Sequence, residues 1–375
     1  MKTKAEVKIE DIDAFRAGKP VKVTVNDGDA QVSCGTFRIA RSAFSNSELK
    51  VLLAAGISTP VEYRRRGYVR RMFEHMHKLA ADEGCAAAIL HTFSFAFYRK
   101  FGYEKVSNHL SASFPPDKLD FVPALAEFVP CGEEKTGDLI TIYDRFSAGR
   151  NLLLKRSAFS DFSGGRKYIC YIGGEPAAYV CLDSSVRFDV NRLTDTRLFV
   201  REYAFVSPEA LRKLFSFLRM FEGEFETVEF CDCAMAPEIE LMLRHYNHSE
   251  YAMRSDLEAR VIDTRKILEA NTYPEEAGSF TLKIIDDLPT AAGCFRVEFG
   301  GGDVRVTEEV NARADLELTA GAFIRLAYGL DGVNAFQAAY MDGVNFTSPE
   351  VNGGSGAGDF FRAFPKRPGG IFEHF

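Results

Sequence analysis

The sequence lacks the long apolar runs that helical membrane proteins carry. No segment approaches the roughly 20 consecutive apolar residues that a membrane-spanning helix needs. The N-terminal stretch MKTKAEVKIEDIDAF is charged throughout and has no apolar core of the kind that secretory signal peptides contain. We therefore expect a cytoplasmic protein that does not associate with a membrane.

Groups of residues that bind metal ions are also missing. The eight cysteines are scattered, and most of them lie in apolar runs, where a free cysteine behaves as a small hydrophobic residue. The CDC stretch at 231–233 is not a CxxC pair and has no second pair nearby, which argues against a zinc site. His75 and His77 are two positions apart, so a helix would point them in different directions. We expect no metal cofactor.

Excess positive charge is absent as well. Lys and Arg number 46 against 53 Asp and Glu, which gives a net charge of -7 and a pI of about 5.7. This balance argues against general nucleic-acid binding and fits a cationic small substrate.

The chain length of 375 residues predicts two or three domains. Alternating runs at 21–25, 30–41 and 49–57, separated by turn residues, predict an antiparallel meander of strands. From Gly67 to Gly84 apolar residues recur every three or four positions, which predicts an amphipathic helix. A short buried strand at 86–92 follows, and then a short helix, a turn and another strand.

The remaining two thirds repeat this mixed pattern. Prolines and glycines within 115–137 predict a domain boundary. Beyond it we expect two strands around Gly173-Gly174, a helix that Ser207 caps and a strand at 227–230. After residue 260 the pattern predicts three strands and a helix. The aromatic tail after the glycine-rich stretch is expected to dock on the protein.

One short segment, TPVEYRRRGYVRRM at 59–72, concentrates five arginines within eight residues. It lies between the strand that ends at Ile57 and the predicted helix. The unpaired N–H groups of a helix start, a glycine that allows close approach and flanking arginines together suit a diphosphate. The alternative is a helix start with solvated arginines.

This segment, together with FYRKFGYEKVS at 97–107, resembles the GCN5-related N-acetyltransferase (GNAT) superfamily. The family's acetyl-CoA loop has the form Gln/Arg-x-x-Gly-x-Gly/Ala, from which Val69 departs. That departure is common in the enhanced intracellular survival (Eis) type, which the chain resembles over nearly its whole length. The resemblance implies an α+β protein with a GNAT domain at 1–122, a second GNAT-like domain without a cofactor loop at 123–260 and a sterol-carrier-like domain at 261–375.

The resemblance also implies which residues hold acetyl-CoA. Backbone groups of the strand end would pair with the pantetheine arm, the loop would hold the diphosphate, and a segment after the next strand would line the cofactor. The resemblance assigns the strand end to Ile57, Ser58 and Thr59. It assigns the diphosphate loop to Arg65, Arg66, Gly67, Tyr68, Val69 and Arg70. The segment after the next strand is Phe93 and Ser94.

Amine acetylation needs a proton donor for the departing thiolate and a base for the amine. Many GNAT enzymes use a glutamate on the strand before the loop, but Leu49–Ile57 carries no carboxylate. By resemblance Tyr98 is the general acid and the terminal carboxylate of Phe375 is the general base. The alternatives are a packed tyrosine and a solvated tail end.

The resemblance predicts an N-acetyltransferase for polyamine-like or aminoglycoside-like cations and a homo-oligomer, hexameric as in relatives. A protein lysine acetyltransferase and a non-catalytic lipid-binding scaffold are the alternatives. Relatives carry two helices before the meander, whereas only about twenty residues precede the first predicted strand here. A trimmed acceptor cleft or a late start of the sequence would follow, which leaves the substrate class open.

Overall fold

A computed structural model describes residues 5–119, 128–189, 192–243, 246–309, 312–330, 332–347 and 356–373. Contacts divide the chain into two compact units. The first unit joins Met1–Ser107 to Asp256–Arg367 and Phe375, and the second joins Asn108–Ser255 to Pro368–His374.

The described residues form the following strands and helices. The strands are β1 (Glu6–Ile9), β2 (Val21–Asp27), β3 (Ala30–Phe44), β4 (Ser47–Ser58), β5 (Ala87–His91), β6 (Glu104–Lys105), β7 (Asn108–Phe114), β8 (Phe128–Pro130), β9 (Arg166–Ile172), β10 (Glu175–Asp189), β11 (Arg192–Phe205), β12 (Thr227–Phe230), β13 (Glu250–Ser255), β14 (Leu257–Val261), β15 (Gly278–Ile285), β16 (Gly293–Gly300), β17 (Asp303–Glu308), β18 (Leu316–Thr319) and β19 (Val344–Phe346). The helices are α1 (Ile12–Arg16), α2 (Tyr68–Asp82), α3 (Phe95–Tyr98), α4 (Thr136–Ser147), α5 (Pro208–Arg219), α6 (Glu238–Met242), α7 (Thr264–Ala270), α8 (Ala320–Ala327), α9 (Ala335–Ala338) and α10 (Gly356–Ala363).

The first unit contains a seven-stranded sheet in the order β1-β2-β3-β4-β5-β14-β6. The predicted meander is confirmed as β2, β3 and β4, which pair antiparallel. Helix α2 is the predicted amphipathic helix, and Met72, Phe73 and Met76 of its apolar face are fully buried against the sheet. Five-residue β5 then runs parallel to β4. The α+β class expected from the sequence is therefore confirmed.

Residues 5–20 are more structured than the sequence suggested. Strand β1 pairs with β2, and α1 begins after Asp11, whose side chain accepts a hydrogen bond from the Ala14 N–H. The expectation that the first strand begins at Val21 is therefore wrong. Helix α1 is shorter than two turns, and β1 is shorter than five residues. Strand β1 also alternates charged Glu6 and Lys8 with half-buried residues. Neither element therefore gives a strong apolar signal.

The first unit also holds a five-stranded sheet in the order β17-β16-β15-β18-β19. Within this unit α8 contacts β14 and β6, and α7 contacts β4. These helices therefore pack on the first sheet as well. The sequence predicts three strands and a helix after residue 260, and the structure has four strands and a helix in those segments, because one predicted strand is the β16–β17 hairpin. The other two are β15 and β18, and the helix is α8.

The second unit contains a seven-stranded sheet in the order β13-β7-β12-β11-β10-β9-β8. The predicted strands around Gly173-Gly174 are β9 and β10, and the predicted strand at 227–230 is β12. Helix α5 begins after Ser207, whose side chain accepts a hydrogen bond from the Ala210 N–H, as the sequence indicates.

Sheet membership crosses the predicted domain limits at two strands. Strand β7 lies in the second unit's sheet, between β13 and β12, although the division at 122 groups it with the first domain. Strand β14 lies in the first sheet, between β5 and β6, although the division at 260 groups most of it with the second domain. The three-domain division stays a prediction. Among the residues that the structure describes, none forms a helix with both the length and the apolar character that a membrane crossing requires.

Candidate functional site

Two neighbouring strands of the first sheet separate beside the arginine-rich loop. Strand β4 pairs with β5 from Val51 to Ala54, whereas its other edge stays paired with β3 as far as Ser58. Residues 55–58 therefore present a backbone edge to which no described strand pairs on the β5 side. An extended ligand can add to such an edge through main-chain hydrogen bonds.

The backbone of the loop after β4 is held in an unusual conformation. Ser33 Oγ lies 2.9 Å from both the Ser58 carbonyl oxygen and Thr59 Oγ1, which fixes the start of the loop. Arg65 and Gly67 both adopt left-handed backbone angles, with φ of 62° and 82°. The left-handed conformation is energetically unfavourable for a residue that carries a side chain, such as Arg65. Such turns aim backbone N–H groups into concave anion-binding sites.

Gly67 is the N-cap of α2, and no side chain caps the helix there. The first N–H groups of the helix are consequently left for water or a ligand. The first turn contains no acidic residue, so the positive end of the helix dipole is not neutralised locally. A Cβ added at Gly67 would meet no described atom within 4 Å, which shows that the space in front of the helix is open.

The arginines of the segment differ in how they are held. Four of them each donate a hydrogen bond to a backbone carbonyl: Arg64 to Thr59, Arg66 to Glu62, Arg70 to Lys100 and Arg71 to Ala5. Within the described residues, the exposed Arg65 side chain makes no hydrogen bond or ion pair. Its guanidinium is therefore the donor of this segment that is most available to an anion.

The open edge, the loop and the helix start border one cleft of about 620 Å³. All the predicted cofactor residues except Ser94 line it. Its lining consists of Ile57, Ser58, Thr59, Tyr63, Arg64, Arg65, Arg66, Gly67, Tyr68, Val69, Arg70, Phe93, Phe97, Lys100 and Phe101. The structure thus brings the predicted residues together, while their role in holding acetyl-CoA stays a prediction.

Two of the predicted cofactor residues, Tyr68 and Ser94, make hydrogen bonds that the sequence does not reveal. The Tyr68 hydroxyl donates to Asp27 Oδ2 at 2.6 Å, and this hydrogen bond raises the pKa of Tyr68. Its phenol is thus already engaged. Ser94 is the N-cap of α3, and its N–H donates to Thr92 Oγ1.

Tyr98 ends α3 and is almost fully buried, with 3% of its surface exposed. Its ring packs against Phe93 and Phe97, which line the cleft, at centroid distances of 5.4 and 5.1 Å. Burial, with a smaller contribution from the charge of Glu258, raises the pKa of Tyr98 to about 12. The phenol is therefore protonated at neutral pH, as a proton donor must be. A packed tyrosine has the same geometry.

The C-terminal tail docks on the second unit. The Asn151 N–H donates to the Pro368 carbonyl, and the Gly370 N–H donates to the Asn151 carbonyl. The ring of Phe372 is buried and meets Tyr203 edge to face at 5.5 Å. The expected docking of the tail is confirmed for residues 368–373, whereas Phe375 lies outside the described residues.

A buried ion cluster holds Glu373 of this tail. The Arg156 side chain is fully buried and contacts both Glu202 and Glu373, with 2.9 Å between Arg156 Nη2 and Glu373 Oε1. Its guanidinium also lies 4.1 Å from the ring centre of Tyr143. The tail is thus anchored two residues before the chain ends.

Sequence reasoning missed several residues of the cleft wall. Phe97, Lys100 and Phe101 lie within the quoted motif at 97–107 and could have been found there. Glu258, which does not line the cleft, gave no local signal, because Asn108–Ser255 of the second unit separates β14 from the strands that it pairs with.

Two segments of the chain match known domain families. Residues 13–106 match the family model of the Acetyltransferase (GNAT) domain, and residues 264–345 match that of the Sterol carrier protein domain. A search of curated protein sequences finds no match.

Solved structures share the fold over nearly the whole chain at 15% sequence identity. A GCN5-related N-acetyltransferase from Anabaena variabilis has a TM-score of 0.82, covering 94% of this chain and 89% of that one. Eis1 from Mycobacterium abscessus has a TM-score of 0.79, and a probable N-acyltransferase from Enterococcus faecalis has one of 0.78. Each covers 99% of this chain and 100% of the other.

Proposed function

We propose that this chain, an acetyl-CoA-dependent GNAT N-acetyltransferase with the domain composition and fold of the Eis type, acetylates a primary amine of a cationic small molecule. The acceptor would be aminoglycoside-like or polyamine-like. Tyr98 would act as general acid and the terminal carboxylate of Phe375 as general base.

The observation that carries the proposal is the open β4 edge beside a positively charged, left-handed loop. The edge offers main-chain groups to the amides of a pantetheine arm. At its end, the uncapped helix start and the exposed Arg65 guanidinium offer donors to a diphosphate. The residues present therefore fit acetyl-CoA.

Acetyl-CoA supplies the acetyl group as a thioester. Tyr98 would give its phenolic proton to the departing sulfur. The Phe375 carboxylate would take the proton that the ammonium must lose before it can attack. The carboxyl group at a chain terminus ordinarily has a pKa of about 3.3–3.7, so it is ionised at neutral pH.

Replacing Arg65 and Arg66 with alanine is expected to weaken binding of CoA. Each charge-assisted hydrogen bond that is lost is worth roughly 1.5–3 kcal/mol, or about 10- to 150-fold in affinity. Because Arg66 already bonds to the Glu62 carbonyl, Arg65→Ala alone should produce most of the effect. Isothermal titration calorimetry with CoA measures it.

The matched control is Lys78→Ala, which removes one positive charge from an exposed position of α2 that does not line the cleft. Its affinity should equal that of the wild type. Equal affinities for Arg65→Ala and Lys78→Ala would mean that the loop does not hold the diphosphate.

The acceptor site is expected to prefer multiply charged amines. The chain carries a net charge of -7, and the partly exposed carboxylate of Asp256 lies 3.2 Å from His91 Nδ1 where β5 ends. A thiol-release assay should rank polyamines and aminoglycosides above arylamines and peptides at equal concentration. Faster turnover of lysine peptides would favour a protein acetyltransferase instead. Lipid uptake without thiol release would favour the scaffold alternative.

We also infer a cytoplasmic location, where acetyl-CoA is available. We infer a homo-oligomer as well, and the family resemblance implies that it is a hexamer. Light scattering on the purified protein measures the number of subunits.

A further inference from the structure

A carboxyl group that the proposed mechanism does not use lies inside the first sheet. Strand β14 runs between β5 and β6, and Glu258 stands opposite Leu90 on one side and Lys105 on the other. Directly opposite residues in a sheet point to the same face. Glu258 therefore faces the side where Leu90 belongs to one apolar cluster with Tyr98 and Tyr103.

This carboxyl group is fully enclosed. The relative exposure of Glu258 is 0%, and neither carboxyl oxygen makes a hydrogen bond of normal geometry within the described residues. Burial raises the pKa of Glu258 to about 7, although the nearby Thr92 hydroxyl opposes the shift. An unpaired buried carboxylate is costly, so the neutral acid is favoured. Both protonation states are consequently populated near neutral pH.

Several charged or titratable groups surround Glu258. The ionised carboxyl raises the pKa of both Tyr98 and Tyr103, while Arg99 and Glu104 act on Glu258 with opposite signs. Other charged or titratable side chains on the strands and helices of this part of the first unit are Lys105 on β6, Arg260 on β14, His91 on β5, His77 on α2 and Arg325 on α8. Tyr98 is the group among them that also borders the cleft wall.

We propose that Glu258 is a positioning residue for the Tyr98 acid, and that Tyr98 donates its proton efficiently only while the Glu258 carboxyl is neutral. The inference rests on the proposed function. In the donation step, the Tyr98 O–H bond breaks and an S–H bond forms with the electron pair of the departing thiolate. Glu258 keeps its own proton throughout. Once ionised, its charge makes the resulting tyrosinate less favourable, so Tyr98 becomes a weaker acid.

The test compares kcat of the wild type with kcat of Glu258→Gln. The measurements extend from about two pH units below pH 7 to about two pH units above it. Gln is neutral at every pH, so the ratio of variant to wild type should rise about tenfold as the pH passes through about 7. One charge at an effective dielectric constant of about 20 shifts a neighbouring pKa by about one to two units. Taking the ratio cancels the titration of the amine substrate.

The same pair of proteins is then compared with Tyr98→Phe in both. If Glu258 acts through Tyr98, the pH-dependent ratio should disappear in that background. A ratio that is constant with pH, or one that persists without the Tyr98 hydroxyl, would overturn the inference.

Infrared difference spectra give a measurement that does not need turnover. The wild type should show a buried carboxylic acid band that disappears as the pH rises through about 7, and Glu258→Gln should lack this band. Absence of the band in the wild type below that pH would refute the inference even if Glu258→Gln fails to fold. By contrast, a wild type that releases no thiol with any amine would refute the proposed function and leave the infrared titration interpretable.

Discussion

Tyr98→Phe is expected to lower kcat by about 10²–10⁴-fold while CoA binds nearly as tightly as to the wild type. Loss of a positioned general acid has this effect because the departing thiolate must then take its proton from water. The ring is retained, so the contacts with Phe93 and Phe97 persist. Steady-state thiol release gives kcat, and calorimetry gives the CoA affinity.

Tyr103→Phe is the matched control. Tyr103 lies in the same apolar cluster, but its hydroxyl lies 2.9 Å from His77 Nε2, away from the proposed reaction. This variant should lose stability without a comparable loss of kcat. Wild-type turnover in Tyr98→Phe would show that Tyr98 serves only in packing.

Deleting Phe375 is expected to reduce kcat by about 10²–10⁴-fold, because the terminal carboxylate would move one residue back along the chain. The anchor formed by Arg156 and Glu373 remains in this variant, and so does the CoA cleft. One glycine added after Phe375 should be equally harmful, since it moves the carboxylate forward. Affinity for CoA, measured by calorimetry, should stay the same in both variants.

Phe375→Ala separates the carboxylate from the ring. This variant keeps a terminal carboxylate at position 375 and should retain much more activity than the deletion. If the glycine extension has full turnover, the base must be sought elsewhere. If Phe375→Ala is as inactive as the deletion, the ring rather than the carboxylate is required.

The sequence predicted those parts of the site whose residues are neighbours along the chain. The loop from Ile57 to Arg70 is readable because the end of a strand, a glycine and the start of an amphipathic helix follow one another directly. The docked tail is readable because it is aromatic. These features depend on local backbone preference and apolar pattern, which a single sequence displays.

Features that depend on pairing between segments far apart in the sequence were not predictable in this way. Leu257–Val261 is a five-residue segment that alternates apolar and charged residues, and nothing in it indicates that it pairs with β5 rather than with a strand of the second unit. Glu258 therefore reads as an ordinary surface glutamate until its neighbours are known. The left-handed backbone of Arg65 was equally hidden, because such a conformation is rare for any residue other than glycine.

The insertion of β14 into the first sheet also bears on how the chain is made. A ribosome releases the protein from its N-terminus, so β1 to β6 emerge long before Leu257–Val261 is synthesised. Until then β5 and β6 lack the strand that lies between them, and their unpaired edges are open to other chains. The nascent first sheet must wait until Asn108–Ser255 of the second unit has been translated. A chain shortened before residue 257 would carry every residue of the arginine loop and still be unable to complete its sheet.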